Sequence, residues 1–215
     1  MSVATAQEVV AAALRQAIVD RDLRPGERVR QEEVARRLGV SVIPVREALR
    51  VLAGEGQVTY RPRQGYVVAE LNLAELAEVY RLREILEAEA VRVAVPLLTD
   101  ADVGAIGDAF AEVGQALGAG RVAEAIDANR RGHFTLFAVA RMPILERHIR
   151  QLWDSTEAYR ALYYGEAPRR ERVDREHQQI LQALRRREGD RVLVLLDAHR
   201  SAALETLAGV LEQVA

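Results

Sequence analysis

Residues 32–56 read EEVARRLGVSVIPVREALRVLAGEG and hold two helical patterns separated by a short break. The first runs from about Gln31 to Leu38, and Gly39 stands where a helix C-cap needs a left-handed residue. Ser41 stands where an N-cap belongs, and Pro44 falls in the first turn, where a missing N–H costs nothing. Val45, Ala48, Leu49 and Leu52 then form an apolar stripe at helical spacing, ended by Gly54 and Gly56. Two short helices with a tight turn between them demand a third element to cover their shared apolar face.

The flanking sequence supplies it. Upstream, a helix is expected from about Thr5 to Arg21, with Val9, Val10, Ala13, Leu14, Ala17 and Ile18 on one side. Leu23-Arg24-Pro25-Gly26 breaks it. Downstream, the β-prone runs 57–61 and 65–69 flank Pro62-Arg63-Gln64, which predicts a hairpin. Three helices and a two-stranded wing make a winged helix-turn-helix. A boundary is expected near Glu70 to Leu73, giving domains of residues 1–70 and 73–215.

The second part reads as all-helical, over about 73–95, 100–118, 121–140, 143–164, 169–187 and 190–213. The breaks fall at Pro96 and Thr99, Gly118 to Gly120, Met142-Pro143, Gly165 to Pro168, and Gly189. The expected fold class is therefore mainly α: a winged helix-turn-helix followed by a six-helix bundle.

Bulk composition narrows the chemistry. The chain has 215 residues, is 49% hydrophobic and has no Cys, so disulfides and thiolate metal sites are excluded. Any metal must be held by N and O ligands. No apolar run approaches the roughly 20 residues that span a bilayer, and the N-terminus reads as an amphipathic helix, so a cytoplasmic protein without membrane association is expected. All 30 basic residues are Arg, and the net charge is −2. The distribution matters more: residues 1–70 carry 11 Arg against 9 acids, and the remainder 19 Arg against 23. Mild positive charge at the front fits DNA contact confined there.

Leu23 to Val68 resembles the GntR family of bacterial transcription regulators, through LRPGERV, EEVARRLGVS, PVREALRVLAGEG and the wing RPRQGYVV. The remainder resembles the FCD domain of the FadR subgroup, through YRLREILEAEAVRVA, NRRGHFTLF, REHQQILQALRRREGDRV and LLDAHR. The resemblance implies a DNA-binding regulator whose operator binding answers to a small metabolite, and not an enzyme.

On this reading, the helix beginning at Ser41 reads the major groove. Ser41 offers a hydroxyl to phosphate, and Arg46 and Arg50 lie one turn apart, off the apolar stripe. Arg61 and Arg63 flank the wing tip, and Gly65 permits close backbone approach. The family usually has Arg and Thr where this chain has Val42 and Ile43, and some members carry Arg at the position of Glu32. Contact with a thymine methyl is open to Val42 and Ile43 instead, so a changed operator is expected. Such modules bind as homodimers to two-fold sites on double-stranded DNA.

Three of the four histidines, His133, His177 and His199, fall on separate helices. His177 precedes Gly189 by 12 residues and His199 follows it by 10, so two antiparallel helices turning there bring them to similar heights. The FCD resemblance implies that these three, with an Asp one turn before His133, hold a divalent metal: Zn2+, with Ni2+ or Mn2+ also compatible. The Asp position is Asn129 here. A neutral ligand set leaves the full charge of the ion in place, which favours a small anionic ligand such as a carboxylate and weakens hold on the metal. Arg83 matches an Arg that the family places near its ligand cavity; the alternative is a surface ion pair with Glu87 at i+4. A three-His site with open positions also describes a catalytic zinc, so a metal-dependent hydrolase or hydratase is the alternative function.

Overall fold

A computed structural model describes residues 5–20, 22–70, 72–156 and 167–214. The described chain is helical apart from one antiparallel hairpin. It divides into two compact units: Met1–Leu71 with Trp153–Tyr159, and Asn72–Leu152 with Arg160–Ala215.

In the first unit, α1 (Ala6–Val19), α2 (Gln31–Leu38) and α3 (Val42–Gly54) enclose a core of Val10, Leu14, Ile18, Val34, Val45, Leu49 and Leu52. Thr5 begins α1 with a capping box, its hydroxyl accepting from the Glu8 N–H while the Glu8 carboxylate accepts from the Thr5 N–H. Val9, expected on the buried face, is exposed; Ala11 takes the inner position. Gly39 ends α2 at φ +66°, the left-handed conformation in which a Cβ is costly. Ser41 is the N-cap of α3, but its side chain makes no capping hydrogen bond. Pro44 explains the difference: it occupies the third helical position, where the N–H that a cap accepts would be.

Strands β1 (Val58–Arg61) and β2 (Gly65–Val68) pair in register Val58↔Val68 through Arg61↔Gly65. The turn is closed by the Gln64 N–H donating to the Arg61 carbonyl, with Pro62 second and Arg63 at φ +68° third, the pattern of a type II turn. The free edge of β2 is also used. Arg28 bridges Val67, and the Val29 N–H donates to the Tyr66 carbonyl. The segment before α2 is thereby pinned to the wing, a pairing the strand pattern did not announce.

In the second unit, α4 (Leu73–Ala94) opens with an Asn72/Glu75 capping box and passes through a 3-10 turn (Val95–Leu97) to α5 (Asp100–Gly118), which opens with a Thr99/Asp102 box. Then come α6 (Val122–Val139), α7 (Pro143–Ser155), of which the part to Leu152 belongs to this unit, α8 (Ala167–Arg185) and α9 (Gly189–Val214). Helix α5 packs along α6 and α8, and α9 packs on α4 and α8. Helix α7 ends at Ser155; residues 157–164 of the expected 143–164 helix, the break at Gly165, and Arg21 and Leu71 at expected ends lie outside the described residues. Among the described residues, no helix is long and apolar enough to cross a membrane.

Candidate metal centre and nucleic-acid interface

Each of three helices carries a histidine at a position its periodicity assigns to the core. On α6 the buried series is Ala125, Asn129, Gly132, His133 and Leu136. On α8 His177 stands between buried Val173 and Ile180, and on α9 His199 follows buried Val192 and Leu196. Packing of α5 between α6 and α8, and of α9 on α8, brings the three rings together. Centroids are 5.9 Å apart for His133–His177, 5.6 Å for His133–His199 and 5.1 Å for His177–His199. One nitrogen from each lies within 4.8 Å of the others. Nitrogens sharing one tetrahedral zinc at ~2.1 Å lie about 3.4 Å apart, so the rings would have to close on an ion to hold it.

The surroundings suit a cation. The Phe110 ring stacks on His177 at 4.0 Å and 6°, fixing its plane. Burial first, then repulsion from His199 and His133, holds the His177 pKa well below its ordinary value, so this imidazole is neutral and has a lone pair to give. Both His177 nitrogens and the Asn129 Oδ1 are buried without a hydrogen-bond partner. Such groups cost about 1–3 kcal/mol each unless satisfied. His199 Nδ1 donates to Glu176 Oε2 at 2.6 Å, which leaves its Nε2 for ligation. Three converging imidazoles, with the buried Asn129 Oδ1 one turn before His133 on α6, fit a divalent transition-metal ion.

The first unit presents a groove of about 540 Å³ between the start of α2, the start of α3 and the wing. Arg28, Arg30, Glu32, Val42, Arg46 and Gly65 line it. Arg46 and Arg50 are exposed on α3, as is Arg63 at the wing tip. Arg61 pairs with Glu70 at 2.8 Å, and Gly65 adopts φ +83° with open space where a Cβ would lie. Val42 and Ile43 part company here: Val42 packs against the core, whereas Ile43 is 67% exposed.

A model of the "Bacterial regulatory proteins, gntR family" matches residues 6–68, and one of the "FCD domain" matches residues 78–202, more than half the chain. The chain belongs to the GntR family and carries an FCD domain. It is 35% identical over 131 residues to the HTH-type transcriptional regulator McbR of Escherichia coli, a match spanning 61% of this chain and 59% of that protein. It is 29% identical over 195 residues to the Nta operon transcriptional regulator of Aminobacter aminovorans, spanning 89% of this chain and 91% of that one. The solved structure of E. coli McbR/YncC superposes with a TM-score of 0.81 at 27% identity, covering 98% of this chain and 99% of the other. The molecule is thus a DNA-binding transcription regulator of the FadR-like kind, not a hydrolase.

Within this GntR-family frame, some expected residues sit differently from the sequence reading. Arg83 does pair with Glu87, at 2.8 Å, but the pair is buried rather than on a helix surface, and the guanidinium also lies over the Tyr80 ring. His148, which no site reading used, is exposed on α7 beside Gln151. Glu176, Arg28, Arg30 and Phe110 escaped the sequence reading. Arg28 and Arg30 alternate with buried Val29, a period-2 signal that puts both on the groove side. Phe110 had no signal, since its partner His177 is far along the chain.

Gly132, beside His133, shows how tightly the centre is built. A Cβ there would stand 2.6 Å from Phe110 Cε1 and 2.7 Å from Cδ1. Helix propensity favours Gly→Ala by about 1 kcal/mol. Overpacking costs about 1–3 kcal/mol. Gly132→Ala is therefore expected to lower stability by up to about 2 kcal/mol in urea unfolding and to displace the ring that stacks on His177. A more stable variant would show that Phe110 has room to move.

Proposed function

We propose that this regulator holds one divalent metal ion through His133, His177 and His199, with Asn129 as a weak fourth ligand. A small anionic metabolite, a carboxylate by preference, fills the ion's open positions and controls operator binding. The observation that carries this reading is the convergence of three imidazole nitrogens within 4.8 Å in a buried centre, with His177 and Asn129 atoms lacking hydrogen-bond partners. Zn2+ suits an N-rich set without thiolates, and Ni2+ or Mn2+ are compatible. The bound ion supplies a Lewis-acidic anchor for the anion. Isothermal calorimetry with Zn2+, then with a carboxylate series on the loaded protein, tests it; no heat with any metal would end the reading. Arg83 is already engaged with Glu87. Its proposed contact with the effector is therefore secondary.

For DNA, Ser41, Ile43, Arg46, Arg50, Arg61, Arg63 and Gly65 form the proposed reading face, with Arg28 and Arg30 added and Val42 acting through packing. A homodimer on a two-fold operator, in the cytoplasm where the DNA is, supplies enough contact for specificity. Arg46→Ala is expected to weaken operator binding by roughly 1–3 kcal/mol in a gel shift, with folding unchanged. Equal affinity would remove Arg46 from the interface. Ile43 gives a sharper test. Replacing operator thymines singly by deoxyuridine should cost wild type about fourfold at one position, for the ~0.8 kcal/mol of a buried methyl. The Ile43→Ala protein should not feel that change. If both proteins respond alike, Ile43 does not read a methyl.

A further inference from the structure

The neutral Asn129 leaves the proposed metal ligands without a formal negative charge, yet a carboxylate stands directly behind them. Glu176 Oε2 lies 2.6 Å from His199 Nδ1. It is the residue before His177 on α8, and its side chain is 20% exposed against 12% for His199. Arg172, one turn earlier, approaches its other oxygen, with Nε at 3.6 Å from Oε1, while its Nη2 donates to the Ala202 carbonyl on α9. The carboxylate is thus held between two helices, with one oxygen committed to the imidazole.

We infer that Glu176 is a positioning residue that takes over the electrostatic part of the missing acidic ligand. The inference rests on the metal reading proposed above. Its physics has two parts. An imidazole whose Nδ1–H donates to a carboxylate is locked in one tautomer, with Nε2 free of hydrogen and aimed away from the acceptor. The same hydrogen bond raises the basicity of Nε2, because negative charge on the acceptor is partly shared through the ring. A bound ion would then feel that charge across the imidazole ring and its hydrogen bond, well further out than an aspartate at position 129 would place it. Its coordination positions stay open, and part of its charge is offset without losing a site for the anion. Among the described residues nothing comparable backs His177, whose ring is stacked on Phe110 and whose nitrogens have no hydrogen-bond partner.

Two measurements on the full chain test the inference. In the first, Zn2+ affinity is measured by competition with a chelator for wild type, Glu176→Gln, Asn129→Asp and the double variant. Glu176→Gln is expected to weaken Zn2+ by about 10- to 100-fold. Asn129→Asp should tighten Zn2+ by a larger factor in the Glu176→Gln background than in wild type, since there one charge replaces the other. An affinity within threefold of wild type for Glu176→Gln, or purely additive effects in the double variant, would overturn the inference. The second uses metal-free protein and reads the His199 tautomer from ring 15N shifts. Wild type should show Nδ1–H alone and Glu176→Ala a mixture. An unchanged tautomer overturns the inference whether or not zinc binds. If wild type shows the expected tautomer but binds no Zn2+, the proposed metal function fails, and with it the charge-replacement role of Glu176. The hydrogen bond would then survive as a packing feature alone.

Discussion

Protein purified without chelator is expected to carry one divalent metal ion per chain, and His177→Ala protein to carry none. The reason is the state of His177. It is buried, neutral and stacked on Phe110, and neither nitrogen has a hydrogen-bond partner. A ligand bond to a metal satisfies what is otherwise a desolvated lone pair. Because the ion binds the folded centre and not the dispersed histidines of the unfolded chain, loading should raise stability by about 4.1 kcal/mol at 1,000 times the dissociation constant. Elemental analysis with thermal melts before and after chelator reads both quantities. The identity of residue 129 adds a sign test. Asn129→Asp puts a negative charge among the ligands, so the metal should tighten while a carboxylate on the loaded protein weakens. Metal loss in that variant, or no metal in any wild-type preparation, would show that the histidines serve packing only.

Glu87→Ala should cost about 3–5 kcal/mol, the loss typical when one partner leaves a buried ion pair. Glu87 Oε1 accepts from Arg83 Nε at 2.8 Å, and Oε2 accepts from Arg200 Nη2 at 3.2 Å and Nε at 3.3 Å. The side chains of Arg83, Arg200 and Glu87 are 7%, 7% and 4% exposed. One carboxylate thus serves two guanidinium groups at the α4–α9 contact; its removal leaves Arg200 with Asp197, at 3.1 Å, and Arg83 over the Tyr80 ring. Arg200 also adjoins His199, so the same substitution should loosen the metal centre. For comparison, Arg15–Glu55 in the first unit is bidentate but a quarter to a third exposed, and its removal should cost no more than about 1 kcal/mol. Urea unfolding of the two variants gives the contrast directly. Equal, small effects would mean that water reaches Glu87 freely.

The winged helix-turn-helix was readable because its signals are local. Gly39 in a left-handed C-cap, the Val45/Leu49/Leu52 stripe and the Pro62-Arg63 turn each act over a few residues. The helices of the second unit were readable for the same reason, with their breaks at Pro, Gly and capping residues. Spacing gave the heights of the histidines and periodicity their core-facing sides, but which rings would meet was legible only by resemblance.

Misreadings arose wherever a distant or neighbouring group changed the local rule. Pro44 removed the N–H that Ser41 would have capped. Arg200, 113 residues from Glu87, joins the Arg83–Glu87 pair, weighed from sequence as a surface alternative to ligand contact, in a buried cluster. Val42 and Ile43 looked alike in sequence, yet Val42 is partly buried against the core at the groove wall and Ile43 is exposed. Periodicity, capping and turn chemistry operate within a few residues, so they account for where helices and strands begin and end. Ring stacking, the carboxylate behind His199 and the space that admits Gly132 alone arise between helices brought together by burial of their apolar faces, and no short-range pattern encodes which side chains will meet there.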